Sequence, residues 1–207
     1  MKHLTLVLVL CALAGCSLLP SRARPKTEFD FGPEPNALST SVRLSQVQLV
    51  VYDVRAPSWM DGTAMYYRLA YQNAAVPRPY AESEWVMSPA ALLTQRLKSS
   101  AAVRADGATQ AVSAHSAAVY TVHSELLQFE QIFDAPGRSH GELRLRATLE
   151  GEGVWAERTF AIDRPAPAPN AAGGVTALTE CSDELARLLE EWVSTNHPPS
   201  PASAKRD

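Results

Sequence analysis

The stretch Gly141 to Leu149 constrains the fold most. Leu143, Leu145, Ala147 and Leu149 alternate there with Glu142, Arg144, Arg146 and Thr148. Successive side chains of a strand point to opposite faces, so this pattern predicts a strand with one face on a core and the other toward water. Its neighbours read the same way. Val119 to Phe133 is rich in β-formers, and Asp134-Ala135-Pro136-Gly137 after it is a turn. Glu150-Gly151-Glu152-Gly153 has the composition of a hairpin connection. Val154 to Ile162 is then the return strand, with Val154, Ala156, Phe160 and Ile162 on one side. Residues 118–163 therefore predict a β-meander whose apolar face needs a cover.

The cover is predicted at the C-terminal end. From Val175 to about Thr195, Leu178, Cys181, Leu185, Leu188 and Trp192 recur at helical spacing, with Leu189 and Val193 widening the stripe. Such a helix cannot bury its leucines alone, so docking on the sheet is expected. A second helix begins at Ser88-Pro89, with serine as N-cap and proline in the first turn. Ala90, Leu93 and Leu97 line its apolar face beside Leu92, and it should reach about Ser99–Ala102. Arg96 and Lys98 fall in its later turns, where cations suit the helix dipole.

Lys26 to Phe31 predicts a short strand. Val42 to Val54, apolar on both faces, predicts a central strand covered on both sides. Met65 to Tyr71 is a further strand, and Asn73 to Pro79 a loop. Arg164 to Gly174, rich in Pro, Ala and Gly, is expected to be a flexible connection. The order β-β-β-α-β-β-β-α implies one compact α/β domain: a mixed sheet with a β-meander and two main helices packed on it. It should occupy residues 26–196, and residues 197–207, with three prolines, should be a disordered tail.

The N-terminus has a different character. Met1-Lys2-His3 is short and basic, and Leu4 to Leu13 is apolar apart from Thr5. Leu13-Ala14-Gly15-Cys16 closes it. The run is far shorter than the roughly 20 residues a membrane-crossing helix needs, which makes it a secretory signal over residues 1–15. Cys16 directly after Leu-Ala-Gly resembles a bacterial lipobox. That resemblance implies acylation of Cys16 and cleavage before it. An ordinary signal is the alternative, because Ala12-x-Ala14 also suits conventional cleavage. Residues 16–25, bracketed by Pro20 and Pro25, then read as a tether. Ser17 after the cysteine suggests sorting to the outer membrane, facing the periplasm.

Charge and cysteines exclude several classes. A net charge of −3 gives no basic excess for nucleic acid. Of three cysteines, Cys11 lies in the signal and Cys16 takes lipid, which leaves Cys181 without a disulfide partner. Cys181 sits in the apolar stripe of the last helix, where a buried thiol is the simpler reading than a reactive one. His115, His123, His140 and His197 are scattered, without metal-ligand spacing. Neither a Gly-x-Ser-x-Gly elbow nor a phosphate-cradling glycine loop is present. The residues thus point to no catalytic group, metal or cofactor.

Tyr80-Ala81-Glu82-Ser83-Glu84-Trp85, then Ser88-Pro89 and Leu92-Leu93-x-x-x-Leu97, resemble a family hallmark. So do Met65-Tyr66-Tyr67-Arg68 and Leu126-Leu127-Gln128-Phe129-Glu130. With the lipobox, they resemble the ABC-type transport auxiliary lipoproteins, including the PqiC-like partners of mammalian-cell-entry (MCE) lipid transport systems. The resemblance spans about residues 26–195. It implies a non-enzymatic adaptor working with an MCE-domain protein and an ABC permease and ATPase, and it allows a homo-oligomer. The rival is a periplasmic lipid-binding carrier with an apolar cavity; a periplasmic hydrolase would need a nucleophile and base in one cleft. Trp59, Met60, Tyr80 and Trp85 are the candidate contacts for partner or lipid. For Trp85 the competing reading is a core residue under the start of the first helix.

Overall fold

The computed structural model describes residues 25–33, 47–106 and 118–196. Seven strands form one sheet: β1 (Thr27–Phe29), β2 (Val47–Val51), β3 (Ala64–Leu69), β4 (Arg78–Trp85), β5 (Ala118–Ala135), β6 (Arg138–Gly151) and β7 (Val154–Pro165). Among the described residues three α-helices accompany them: a single turn, α1 (Ala70–Asn73), and the longer α2 (Pro89–Asp106) and α3 (Ala171–Asn196). The sheet order is β1-β4-β3-β5-β6-β7, with β2 beside β5 as well. The sheet is mixed: β1 runs parallel to β4, and β2 and β3 run parallel to β5.

The meander β5–β6–β7 is the frame. Pairing of β5 with β6 runs from Thr121 opposite Glu150 to Ala135 opposite Arg138, and β6 pairs with β7 along nearly its whole length. Leu143, Leu145, Ala147 and Leu149 are fully buried on the face that α3 covers. The β6–β7 turn places Glu152 at φ 46° and Gly153 at φ 78°, the left-handed pair that a two-residue hairpin requires. One residue breaks the alternation of β5. Its register shifts between Leu126 and Gln128. The inward set is therefore Tyr120, Val122, Ser124 and Leu126 before the bulge, and Phe129, Gln131 and Phe133 after it. The bulge turns Glu130 away from the helices.

Along the other edge of β5 lie β2 and β3, end to end. β2 pairs through Val51 opposite Val122, an isolated bridge joins Arg55 to Glu125, and β3 pairs from Tyr67 opposite Gln131. The expectation of a central strand covered on both faces is thus corrected. The described strand is Val47–Val51, it pairs with β5 alone, and Tyr52 just beyond it is 49% exposed. Its outward apolar side chains are answered by stacking, with Tyr52 over His123 at 4.4 Å. Residues 42–46 of that expected strand lie outside the described residues.

Three further corrections concern segment boundaries. Part of the expected loop Asn73 to Pro79 belongs to β4, a strand that hydrophobic alternation does not reveal. It carries Glu82 and Glu84 among its aromatics and needs only Trp85 fully buried. The strand expected to reach Tyr71 ends at Leu69 and turns into α1. The expected flexible connection Arg164 to Gly174 is largely ordered. β7 runs to Pro165, and Asn170 caps α3, its side-chain Oδ1 accepting from the Gly173 N–H at 2.9 Å. The glycines that suggested flexibility serve close approach instead. A Cβ on Gly174 would lie 2.2 Å from Oε1 of Gln131, and one on Gly141 would lie 3.0 Å from Cβ of Ala177.

α2 begins as expected, with Ser88 Oγ accepting from the Ala91 N–H at 3.4 Å, and its Ala90, Leu92, Leu93 and Leu97 are buried. It runs to Asp106. Arg96 does not face solvent near the helix end. It is buried, donates to the carbonyl oxygens of Phe31 and Gly32, and lies 3.0 Å from Asp183 of α3. One guanidinium thereby ties α2, α3 and the chain after β1 together.

Candidate interaction surface

The two long helices cover one face of the sheet. The opposite face carries polar and charged side chains, among them Arg144, Arg146 and Glu125, with Arg146 and Glu125 3.5 Å apart. Among the described residues, the chain builds on this face at the β3–β5 end. There the 3-10 turn Ser58–Met60 and α1 lie against β5, and a cleft of about 310 Å³ forms between them and the sheet.

The four expected contact residues are not brought together. Trp59 is 41% exposed, lines the cleft, and stands edge-on to Tyr66 at 5.3 Å. Met60, its neighbour, is 2% exposed and belongs to the core. Trp85 is 1% exposed. It packs against Phe31 at 5.8 Å and Phe129 at 5.6 Å, which makes it a core residue near the start of α2. Tyr80 is half-buried on the helix-covered side. Its hydroxyl donates to Gln131 Oε1 at 2.7 Å, and Gln131 Nε2 donates to Ser139 Oγ at 2.8 Å. Burial, with the nearby Tyr67, pushes the Tyr80 phenol well above its ordinary range. Of the four, Trp59 alone presents a large apolar surface outward. Cys16 lies outside the described residues.

The cleft is lined by residues of two of the quoted motifs, Arg68 from one and Leu127, Gln128 and Glu130 from the other, none of which was among the expected contacts. Arg68 on β3 donates from Nε to Glu130 Oε1 at 2.7 Å and from Nη1 to the Ala74 carbonyl at 2.9 Å. Gln128 Nε2 donates to Glu142 Oε2 at 3.0 Å. Leu127 and Ile132 supply apolar lining. Glu130 had a visible signal: a carboxylate within a long β-rich run.

Cys181 is fully buried, with its thiol near the carbonyls of Gly141 and Ile162, and burial pushes its pKa up to about 12, so it is protonated at neutral pH. Among the described residues no group of three His, Cys, Asp or Glu is placed to hold a metal ion, and no helix is long and apolar enough to cross a membrane.

The fold and this surface define a single mixed-sheet α/β domain with helices on one face and a shallow, charged cleft on the other. The chain belongs to the family of ABC-type transport auxiliary lipoprotein components, which it matches over residues 29–189. That family associates its members with an ABC transport system and with a membrane-attached, periplasmic setting. The sequence has no significant match among curated proteins. Solved structures share the fold. Protein XCC0632 from Xanthomonas campestris, assigned to family DUF330, superimposes with a TM-score of 0.59 at 18% identity, covering 73% of this chain and 86% of that one. An uncharacterized protein gives a TM-score of 0.59 at 14% identity, covering 82% of this chain and 99% of that one.

Proposed function

We propose that this protein is an outer-membrane lipoprotein, held by acylated Cys16 and facing the periplasm, that acts as a non-catalytic adaptor of an MCE-type lipid transport system. The family match across the domain supports the transport setting. One observation supports adaptor over lipid carrier. The gap where α2 and α3 meet β2, lined by Leu49, Val51, Leu97, Ala186, Leu189 and Val193, holds about 10 Å³. That is scarcely enough for one water molecule, so no acyl chain fits there. On this reading the domain works by its surface.

A tether of residues 16–25 spans at most about 35 Å when extended, at roughly 3.3–3.6 Å per residue. The domain stays close to its membrane and meets an MCE-domain protein or the ABC permease and ATPase across that distance. Self-association of the domain would let it match a ring-shaped partner. Trp59 is the contact residue of this reading. Affinity capture from gently solubilised envelopes should recover an MCE protein with the native chain and markedly less with Trp59→Ala. Recovery of no transport component, under conditions that keep other envelope complexes intact, would refute the adaptor role. Cys16→Ser should move the protein from the membrane fraction to the soluble periplasm, because stable anchoring depends on the acyl chains.

A further inference from the structure

The cleft beside Trp59 has a charge arrangement that the sheet alone does not balance. Glu130 of β5 stands directly opposite Glu142 of β6, and Glu142 directly opposite Asp163 of β7. Three carboxylates thus occupy one row across three neighbouring strands. Like charges in directly opposed positions repel, and the sheet keeps them only where something offsets the repulsion. Arg68 offsets one oxygen. Its Nε is on Glu130 Oε1, and its Nη1 is held by the Ala74 carbonyl. Arg144 stands in the next row, opposite Gln128, and is exposed.

Glu130 is 1% exposed, and its Oε2 has no hydrogen-bond partner. A shielded carboxylate oxygen without a donor is costly, and the group that relieves it is a cationic N–H donor. The cleft leads toward that carboxylate. Glu130 and Glu142 supply its negative end, Leu127 and Ile132 supply apolar wall, and the Trp59 ring flanks it. At about 310 Å³ it has the volume of about ten liquid waters, at roughly 30 Å³ each. This suits a long side chain with an aliphatic stem and a cationic head, which an indole face also attracts.

We propose that the cleft receives a lysine or arginine side chain presented by a partner protein, with the cationic head on Glu130 and Glu142 and the stem beside Trp59. The acidic row favours a protein segment over a free amine. From Glu130 to Asp163 is two strand spacings, about 9–10 Å, too far for one ammonium but matched by two basic residues spaced along one segment. The proposal names the chemistry of the contact and rests on the adaptor reading only for the existence of a partner.

The test uses the full mature chain in detergent, with the indole N–H resonance of Trp59 assigned through Trp59→Phe. The probe is the peptide acetyl-Arg-Gly-Gly-Arg-amide, with its citrulline counterpart and butylammonium as comparisons. The arginine peptide should shift the resonance saturably, and affinity should fall at least tenfold in Glu142→Gln and Glu130→Gln and several-fold in Asp163→Asn. Higher salt should weaken it as well. Equal binding of the citrulline peptide, unchanged affinity in Glu142→Gln, or no saturable shift would overturn the proposal. Butylammonium binding as tightly as the peptide would also overturn it, in favour of a free amine. Glu142 is only half-buried, so its variant carries the test if Glu130→Gln does not fold. None of these results bears on capture of an MCE protein, so the two readings fail separately.

Discussion

At the scale of single residues, two tryptophans of one chain sit in opposite surroundings. Trp85 fills a pocket between Phe31 and Phe129. Trp85→Ala should therefore cost about 3–5 kcal/mol in denaturant unfolding, the range for truncating a buried aromatic. Trp59→Ala, at an exposed turn, should cost less than about 1 kcal/mol while reducing partner recovery. A similar cost for both would mean that Trp59 is structural. Cys181 gives a pH signature. Its native pKa is pushed up to about 12, against about 8.5 for an unperturbed thiol. Above about pH 8.5 the unfolded chain releases the thiol proton and the native chain does not. This linkage therefore lowers stability as pH rises from about 8.5 toward 12. Cys181→Ala should remove that slope, read as the pH dependence of the unfolding midpoint. Native Cys181 should also react with a thiol reagent only at the rate of unfolding.

At the scale of elements, close contacts rest on residues that look unremarkable in sequence. Gly174 lets the first turn of α3 lie on Gln131, which links Tyr80 to Ser139. Gly174→Ala would push Gln131 aside and should cost about 1–3 kcal/mol, although alanine favours helix. Gly137→Ala, with open space around it, serves as the comparison. The β6–β7 turn offers a gain instead. Glu152 holds a left-handed backbone at φ 46° that costs a residue of its kind about 1–2 kcal/mol. Glu152→Asn should recover a few tenths of that and raise Tm slightly. Arg96 joins three elements, and Arg96→Ala leaves two backbone carbonyls and Asp183 without it. A loss toward the lower end of about 3–5 kcal/mol is expected. Amide exchange in Thr27–Phe29 should quicken with it, since the same guanidinium holds the chain just after that strand.

At the scale of the whole molecule, the meander and the terminal helix were legible because their patterns are local. Alternation over Gly141–Leu149 and helical spacing over Leu178–Val193 each follow from the geometry of a single element, and burial of one face is enough to specify them. The α/β class and the inert thiol followed from the same patterns. Strand β4 was not legible, because a short strand lined with charges satisfies its backbone by pairing rather than by burying alternate residues. Nor was the fate of Arg96, Tyr80 and Met60. Whether a side chain at a given helix or turn position meets water or core depends on the element that arrives from elsewhere in the chain. The cleft is of the same kind. A one-residue bulge in β5 turns Glu130 to the open face, and β3, α1 and the Trp59 turn then close around it. By itself the sequence determined the meander, the two long helices and their apolar faces, since those depend on neighbours a few residues away. Only the tertiary structure decided which charges share a row and that Trp59 faces outward while Trp85 is buried, because those depend on register between segments far apart in the chain.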